Sequence, residues 1–150
     1  MPADHRGVVS RRGPQPTGSY PHAHVHGGMV WVTAQAGRDP GNGELVEGGM
    51  AGQMDRAISN LEAILEECGS SLGRVIRTQI MYTDRSDVEA MDEVYARRFK
   101  APLPVRTSWG VKFLAAEPVS PPAEKPWGQV VSYIRAPEGT LVEICSEWRR

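Results

Sequence analysis

Three sets of residues have types and spacings suited to chemistry: one arginine, one glutamate and a group of histidines. Arg106 sits in Pro104-Val105-Arg106-Thr107-Ser108-Trp109-Gly110-Val111, a run that otherwise reads as a buried strand. With a period of two, Val105, Thr107, Trp109 and Val111 share one side, and Arg106, Ser108 and Gly110 share the other. A guanidinium on a sheet face is costly to bury unless an anion meets it, and its planar fork of donors matches a carboxylate through two parallel hydrogen bonds. Arg106 is thus a candidate carboxylate anchor. The competing reading is an arginine at a strand edge that reaches solvent or pairs with a structural glutamate. Glu143 poses the same question in the last predicted strand, where Val142 and Ile144 share a face and Leu141, Glu143 and Cys145 the opposite one.

His22, His24 and His26 alternate along one predicted strand, a pattern that can take up zinc or nickel adventitiously, although the polar outer face of a hairpin is the preferred reading. His5, the fourth histidine, also lies near the N-terminus, so a Ser-His-Asp or Cys-His arrangement has no local motif behind it. Gly48-Gly49 opens a helix but follows a loop, not a strand, and makes a poor phosphate cradle.

The elements that must position these residues follow from periodicity. Residues 1–19 carry Arg6, Arg11, Arg12, Pro14 and Pro16 without a hydrophobic period and read as a flexible, extended arm. Residues 20–26 and 29–35 read as a hairpin about Gly27-Gly28. Met50, Met54, Ala57, Ile58, Leu61, Ile64, Leu65 and Cys68 have helical spacing that ends at Gly69. A β-branched strand follows over 75–83, and Ser86 with Glu89 makes a capping-box start for a second helix presenting Val88, Met91, Tyr95 and Phe99. Ala101-Pro102-Leu103-Pro104 stops that helix. Residues 115–126, rich in proline, read as an exposed loop, and residues 128–135 and 140–146 as two strands about the turn 136–139. The order predicts a single mixed sheet with two helices on one face; the other face, with Arg106 and Glu143, would be left for another subunit to cover.

At 150 residues one compact domain is expected. The formal net charge of −1 gives no broad field for nucleic acid or an anionic membrane, and no apolar run reaches bilayer length. Two cysteines, Cys68 and Cys145, are too few for a disulfide framework. The expectation is a cytoplasmic protein without membrane or polyanion partners.

Residues 17–111 or so resemble the RidA family of enamine/imine deaminases. The resemblance rests on Gly18-Ser19-Tyr20-Pro21-His22-Ala23, Gly37-Arg38-Asp39-Pro40, Gly43-Glu44-Leu45-Val46-Glu47-Gly48-Gly49, the helix segment 60–72, Tyr82-Thr83-Asp84, Glu93-Val94-Tyr95-Ala96 and Pro104-Val105-Arg106-Thr107. It implies a chorismate-mutase-like α/β (α+β) fold and a homotrimer whose sheets form a central barrel, with sites in the clefts between subunits. It also implies that Arg106 holds a substrate carboxylate, Glu143 positions the attacking water and Tyr20 lines the cleft. A 2-imino acid is already electrophilic, so these groups could hydrolyse it to a 2-keto acid and ammonia with no cofactor and no metal. Three positions depart from the family's pattern. Ala34 replaces a glycine near the ligand, which narrows the pocket. Asp92 replaces an asparagine and would oppose carboxylate binding. Ser108 stands where cysteine is frequent, at a position that acts through its backbone carbonyl.

After Gly110-Val111 the pattern changes. Residues 110–148, including Pro126-Trp127-Gly128-Gln129-Val130 and the run 133–145, resemble the end of a glyoxalase-like vicinal oxygen chelate domain. In that family the glutamate matching Glu143 is a metal ligand, a role that needs further ligands from strands this chain lacks. The domain expectation is an N-terminal arm over 1–19 and a RidA-like domain over 20–150, whose last strands come from the glyoxalase-like segment 112–148. Two other functions stay open beside the deaminase: a non-catalytic trimeric module that binds a small ligand, and a metal-dependent glyoxalase-like enzyme.

Overall fold

The structure, a computed structural model, describes residues 5–111 and the backbone of strands at 117–124, 130–135 and 141–145. In chain order the elements are β1 (His5–Val8), β2 (Ala23–His26), β3 (Met29–Val32), α1 (Gly49–Glu67), β4 (Arg77–Tyr82), α2 (Val88–Arg98), β5 (Val105–Gly110), β6 (Glu117–Glu124), β7 (Val130–Arg135) and β8 (Leu141–Cys145). They form a mixed α/β arrangement with two helices. By hydrogen bonding the described strands make three sheets, β1-β2-β3, β4-β5 and β6-β7-β8, where the element order predicts one. The difference lies in long-range pairing, which periodicity does not encode.

Cα proximity divides the chain into two compact units, residues 1–79 with 86–107, and residues 80–85 with 108–150. In the first unit, β2 and β3 form the expected hairpin, with His26 opposite Met29. Its two-residue turn has φ of 58° at Gly27 and 74° at Gly28, the positive pair that a tight right-twisted hairpin requires and that glycine supplies without strain. Within residues 1–19, the expected flexible arm gives way to a strand: β1 pairs antiparallel with β2, His5 opposite His26 and Val8 opposite Ala23. His5-Arg6-Gly7-Val8 carries no apolar alternation, so the strand is legible only from its partner.

α1 ends as its spacing predicts, with Gly69 N–H donating to Glu66 and Ser70 N–H to Leu65, the bonding pattern that closes a helix C-terminus. The second helix begins at Val88, behind a 3-10 turn at Arg85–Asp87, with Asp87 at the cap position and no capping bond from the Asp87 side chain. The core of this unit is Ile58, Ile64 and Leu65 of α1 against Met91, Val94 and Tyr95 of α2, with Phe99 just beyond. Each such side chain contributes about 2 kcal/mol by leaving water. Arg98 ties the helices at their rim, donating to Asp55 Oδ1, Ser59 Oγ and Glu62 Oε2, each at 3.0 Å.

Val105 N–H donates to Ile76 and Val111 N–H to Tyr82, so the bonds advance together along both chains and β4 and β5 run parallel, joined through α2. β5 is not the buried strand its composition predicts: Val105 is 68 % exposed and Trp109 42 %. In the second unit β6, β7 and β8 form an antiparallel meander. The proline-rich stretch expected as a loop is thus the strand β6, an edge strand whose pairing shifts register between Pro118 and Ser120 and again before Ala123. Proline lacks the N–H that a central strand must donate, and edges and bulges are where its absence is tolerated.

Candidate functional site

Asp92 and Tyr95 lie three residues apart on α2 and therefore on one face of it, and that face meets Arg106 of β5. Asp92 Oδ1 accepts a hydrogen bond from Arg106 Nη1 at 2.6 Å, and the guanidinium carbon lies 4.9 Å from the centre of the Tyr95 ring. Tyr95 is buried, and its hydroxyl is 2.9 Å from Thr78 Oγ1 on β4, which fixes the ring under the arginine. Stacking on the ring and one charged bond orient the guanidinium. Its other donors have no partner among the described residues, leaving an edge that can receive a second carboxylate. The arginine side of β5 is therefore the helix side, whereas the sequence placed Arg106 on the uncovered face. Val105, on the opposite side, is exposed as Arg106 itself is.

A second set of residues forms a pocket of about 80 Å³, to which residues 14–17 contribute one wall and Tyr20, Ala34, Gln35 and Arg38 others. The expected site residues Tyr20 and Ala34 are thus brought together, while neither Arg106 nor Asp92 lines this pocket. The Tyr20 hydroxyl is 2.9 Å from Thr17 Oγ1. His22 closes the pocket's floor and is 2 % exposed. Its Nδ1 accepts from Ser10 N–H at 2.9 Å and its Nε2 donates to the Pro14 carbonyl at 2.7 Å, so both ring nitrogens are used in holding residues 10–14 to the body. The histidine series therefore does not share one exposed face: His24 and His26 face outward on β2, and His22 turns in ahead of it. Among the described residues no group of three His, Cys, Asp or Glu side chains is placed to hold a metal ion.

Two further residues, passed over in the sequence, shape this pocket. Asn60, 2 % exposed on α1, donates from Nδ2 to the carbonyls of Ala36 (3.2 Å) and Arg38 (2.9 Å). A buried asparagine inside an apolar stripe was the available signal. Gly37 lies so close to Gln53 of α1 that a Cβ would overlap its backbone, so glycine lets the loop reach the helix. Together they set Arg38 at the pocket wall.

Of the remaining expected site residues, Ser108 has its Oγ buried without a hydrogen-bond partner among the described residues. Glu143 stands opposite Tyr133 in the β7–β8 ladder, and its side chain lies outside the described residues. Cys68 is a free thiol whose burial pushes its pKa up, partly offset by Arg6, as befits a packing residue more than a nucleophile. No helix among the described residues is long and apolar enough to cross a membrane.

The two helices, the parallel β4–β5 pair and the arginine of the Pro-x-Arg-Thr motif define the class, and comparison with known proteins agrees. The chain belongs to the family described as Endoribonuclease L-PSP, whose model matches residues 10–120. It is 36 % identical over 101 residues to a RutC family protein of Pyrococcus abyssi, covering 67 % of this chain and 80 % of that one. To the 2-iminobutanoate/2-iminopropanoate deaminase of Rattus norvegicus it is 33 % identical over 107 residues, covering 71 % and 78 %. The crystal structure of RidA from an Antarctic Psychrobacter superposes with a TM-score of 0.69 at 29 % identity, covering 85 % of this chain and 94 % of that chain.

Proposed function

We propose that this protein hydrolyses reactive 2-imino and enamine acids to 2-keto acids and ammonia. The observation that carries the reading is Arg106, held on Tyr95 with part of its donor fork open, in a chain similar to relatives named as imine deaminases. In the reaction the substrate carboxylate lies on Arg106, which directs the imine carbon toward a water. Glu143 takes a proton as the water oxygen bonds to that carbon and returns one to nitrogen; the carbinolamine then collapses to the keto acid as the C–N bond breaks and ammonia leaves. Tyr20, Ala34 and Ser108 line the substrate's path, and Asp92 sets how readily a carboxylate reaches Arg106. The imine is electrophilic without help, so the scheme uses no metal.

The reading includes a homotrimer with a central barrel and sites between subunits, for which the exposed apolar residues Trp31 and Val105 provide support as side chains left to cover. It also includes one RidA-like domain over 20–150 completed by a glyoxalase-like segment over 112–148, which supplies Glu143. The family description names RNA cleavage, but a net charge of −1 offers no field for a polyanion.

An amino-acid oxidase that generates 2-iminobutanoate in the presence of the protein tests the proposal. Keto acid release should accelerate with wild type and fall at least tenfold with Arg106→Ala, because a charge-assisted anchor is worth roughly 1.5–3 kcal/mol. Equal rates for wild type, variant and buffer would reject it. A second reading, a non-catalytic module for a small ligand, draws on the Asp92 carboxylate already seated on Arg106. Binding of a 2-keto acid without turnover would select it.

A further inference from the structure

We infer that Arg38 is a specificity-determining residue, which receives an acidic group on the substrate's side chain in the pocket beside Tyr20. The identity of that substrate as an imino acid rests on the deaminase reading, whereas the anion preference rests on the pocket itself. Arg38 is fixed in the chain: its N–H donates to Ala36, its carbonyl accepts from Asn60, and it bridges to Leu45. Arg38 lines the pocket, and among the described residues its guanidinium has one partner, the neutral carbonyl of Gly43, 2.7 Å from Nη1. Among the described residues no carboxylate pairs with it, and no residue lining the pocket is acidic. The contrast with Arg106 is informative, since there Asp92 already supplies the counter-charge.

The other polar groups of the pocket sort the same way. His22 has spent both ring nitrogens, on Ser10 and Pro14. Thr17 and Tyr20 share one hydroxyl hydrogen between their oxygens, which leaves the second to donate. The pocket thus offers a guanidinium edge and a hydroxyl, both donors, and no competing anion; an anionic acceptor is the group that satisfies them together. About 80 Å³ accommodates a carboxylate on a short stem. Tyr20 lines this pocket, and the deaminase reading assigns the same tyrosine to the substrate cleft, so the link between the pocket and Arg106 rests on that reading. The substrate class is accordingly a 2-imino acid with a second acid group, over one with a plain alkyl side chain.

Titration calorimetry with 2-oxoglutarate and 2-oxobutanoate, as dicarboxylate and monocarboxylate product analogues, tests this. Wild type should bind 2-oxoglutarate about tenfold more tightly, the size expected of one added charge-assisted contact in a half-exposed pocket. Arg38→Gln should abolish that preference and leave the 2-oxobutanoate Kd unchanged; Arg38→Lys, which keeps a donor for Gly43, should retain part of it. Equal affinity of wild type for the two acids, or an equal loss for both in Arg38→Gln, would overturn the inference, the second result marking Arg38 as a clamp on its loop. An Arg38-dependent preference without imine turnover would instead remove the deaminase reading and keep the site. Turnover of 2-iminobutanoate with no preference would do the reverse.

Discussion

Replacing Asp92 by asparagine should tighten the binding of a 2-keto acid to this protein about fivefold. Asp92 Oδ1 lies 2.6 Å from Arg106 Nη1, so a ligand carboxylate meets an arginine whose charge is already matched. The Asp92 side chain is 50 % exposed and that of Arg106 30 %, which keeps the pair in a well-screened setting and far from the values of a buried ion pair. Exposed pairs contribute about 0.2–1 kcal/mol, and stacking of Arg106 on Tyr95 places this one near the upper end. Removing the competing charge therefore returns about 1 kcal/mol to the ligand, a factor of about five in Kd. Asparagine keeps the shape and an amide oxygen for Nη1, so the guanidinium stays oriented. Titration of 2-oxobutanoate at low ionic strength reads the change, which should shrink in 0.5 M salt, where the Debye length falls to about 4 Å. Unchanged or weaker binding by Asp92→Asn, with the thermal midpoint preserved, would refute the idea that Asp92 competes for the anchor.

His22→Ala should destabilise the protein by about 2 kcal/mol, since the Ser10 N–H and Pro14 carbonyl lose buried partners; denaturant unfolding measures it, and proteolysis within residues 9–16 should accelerate in parallel. Asn60→Ala should cost about 1–2 kcal/mol for the same reason and weaken any Arg38-dependent binding, which Asn60→Asp should not restore, because an ionised carboxylate cannot donate to two carbonyls. The hydrogen bond from Arg98, with further help from Arg97, holds the Asp55 carboxyl below its ordinary value of 3.8 against the opposing effect of burial. A depressed folded pKa means stability that is present above the unfolded value and lost as pH falls through the folded one. The stability gap between wild type and Asp55→Asn should thus be full at pH 6–7 and close progressively below about pH 4, as followed by unfolding at a series of pH values.

Much of the local structure was legible because it depends on neighbours in sequence. The helical spacing of Ile58, Leu61, Ile64 and Leu65 placed α1 to within a residue or two, and Gly27-Gly28 identified the hairpin turn. Arg106 stood out as the charge in an apolar strand. Arg38 and Asn60 did not, and His22 stood out only as one of an alternating series, since each takes its role from groups 5 to 24 residues away: Gly43, Ala36 and Ser10. A turn-rich loop, a polar strand end and a lone asparagine carry no period that announces such partners.

By itself the sequence determined the identity and approximate limits of both helices, the β2–β3 hairpin, the two final strands and the motif arginine. It did so through periodicity, turn chemistry and motif spacing, all of which act over a few residues. Only the tertiary structure decided which side of β5 meets α2, that Asp92 sits on Arg106, that residues 5–8 pair with β2, and that a proline-rich segment becomes an edge strand. Alternation divides a strand into two faces without saying which one a helix will cover. That choice follows from the packing of residues far apart in the chain, and here it turned the arginine toward Tyr95.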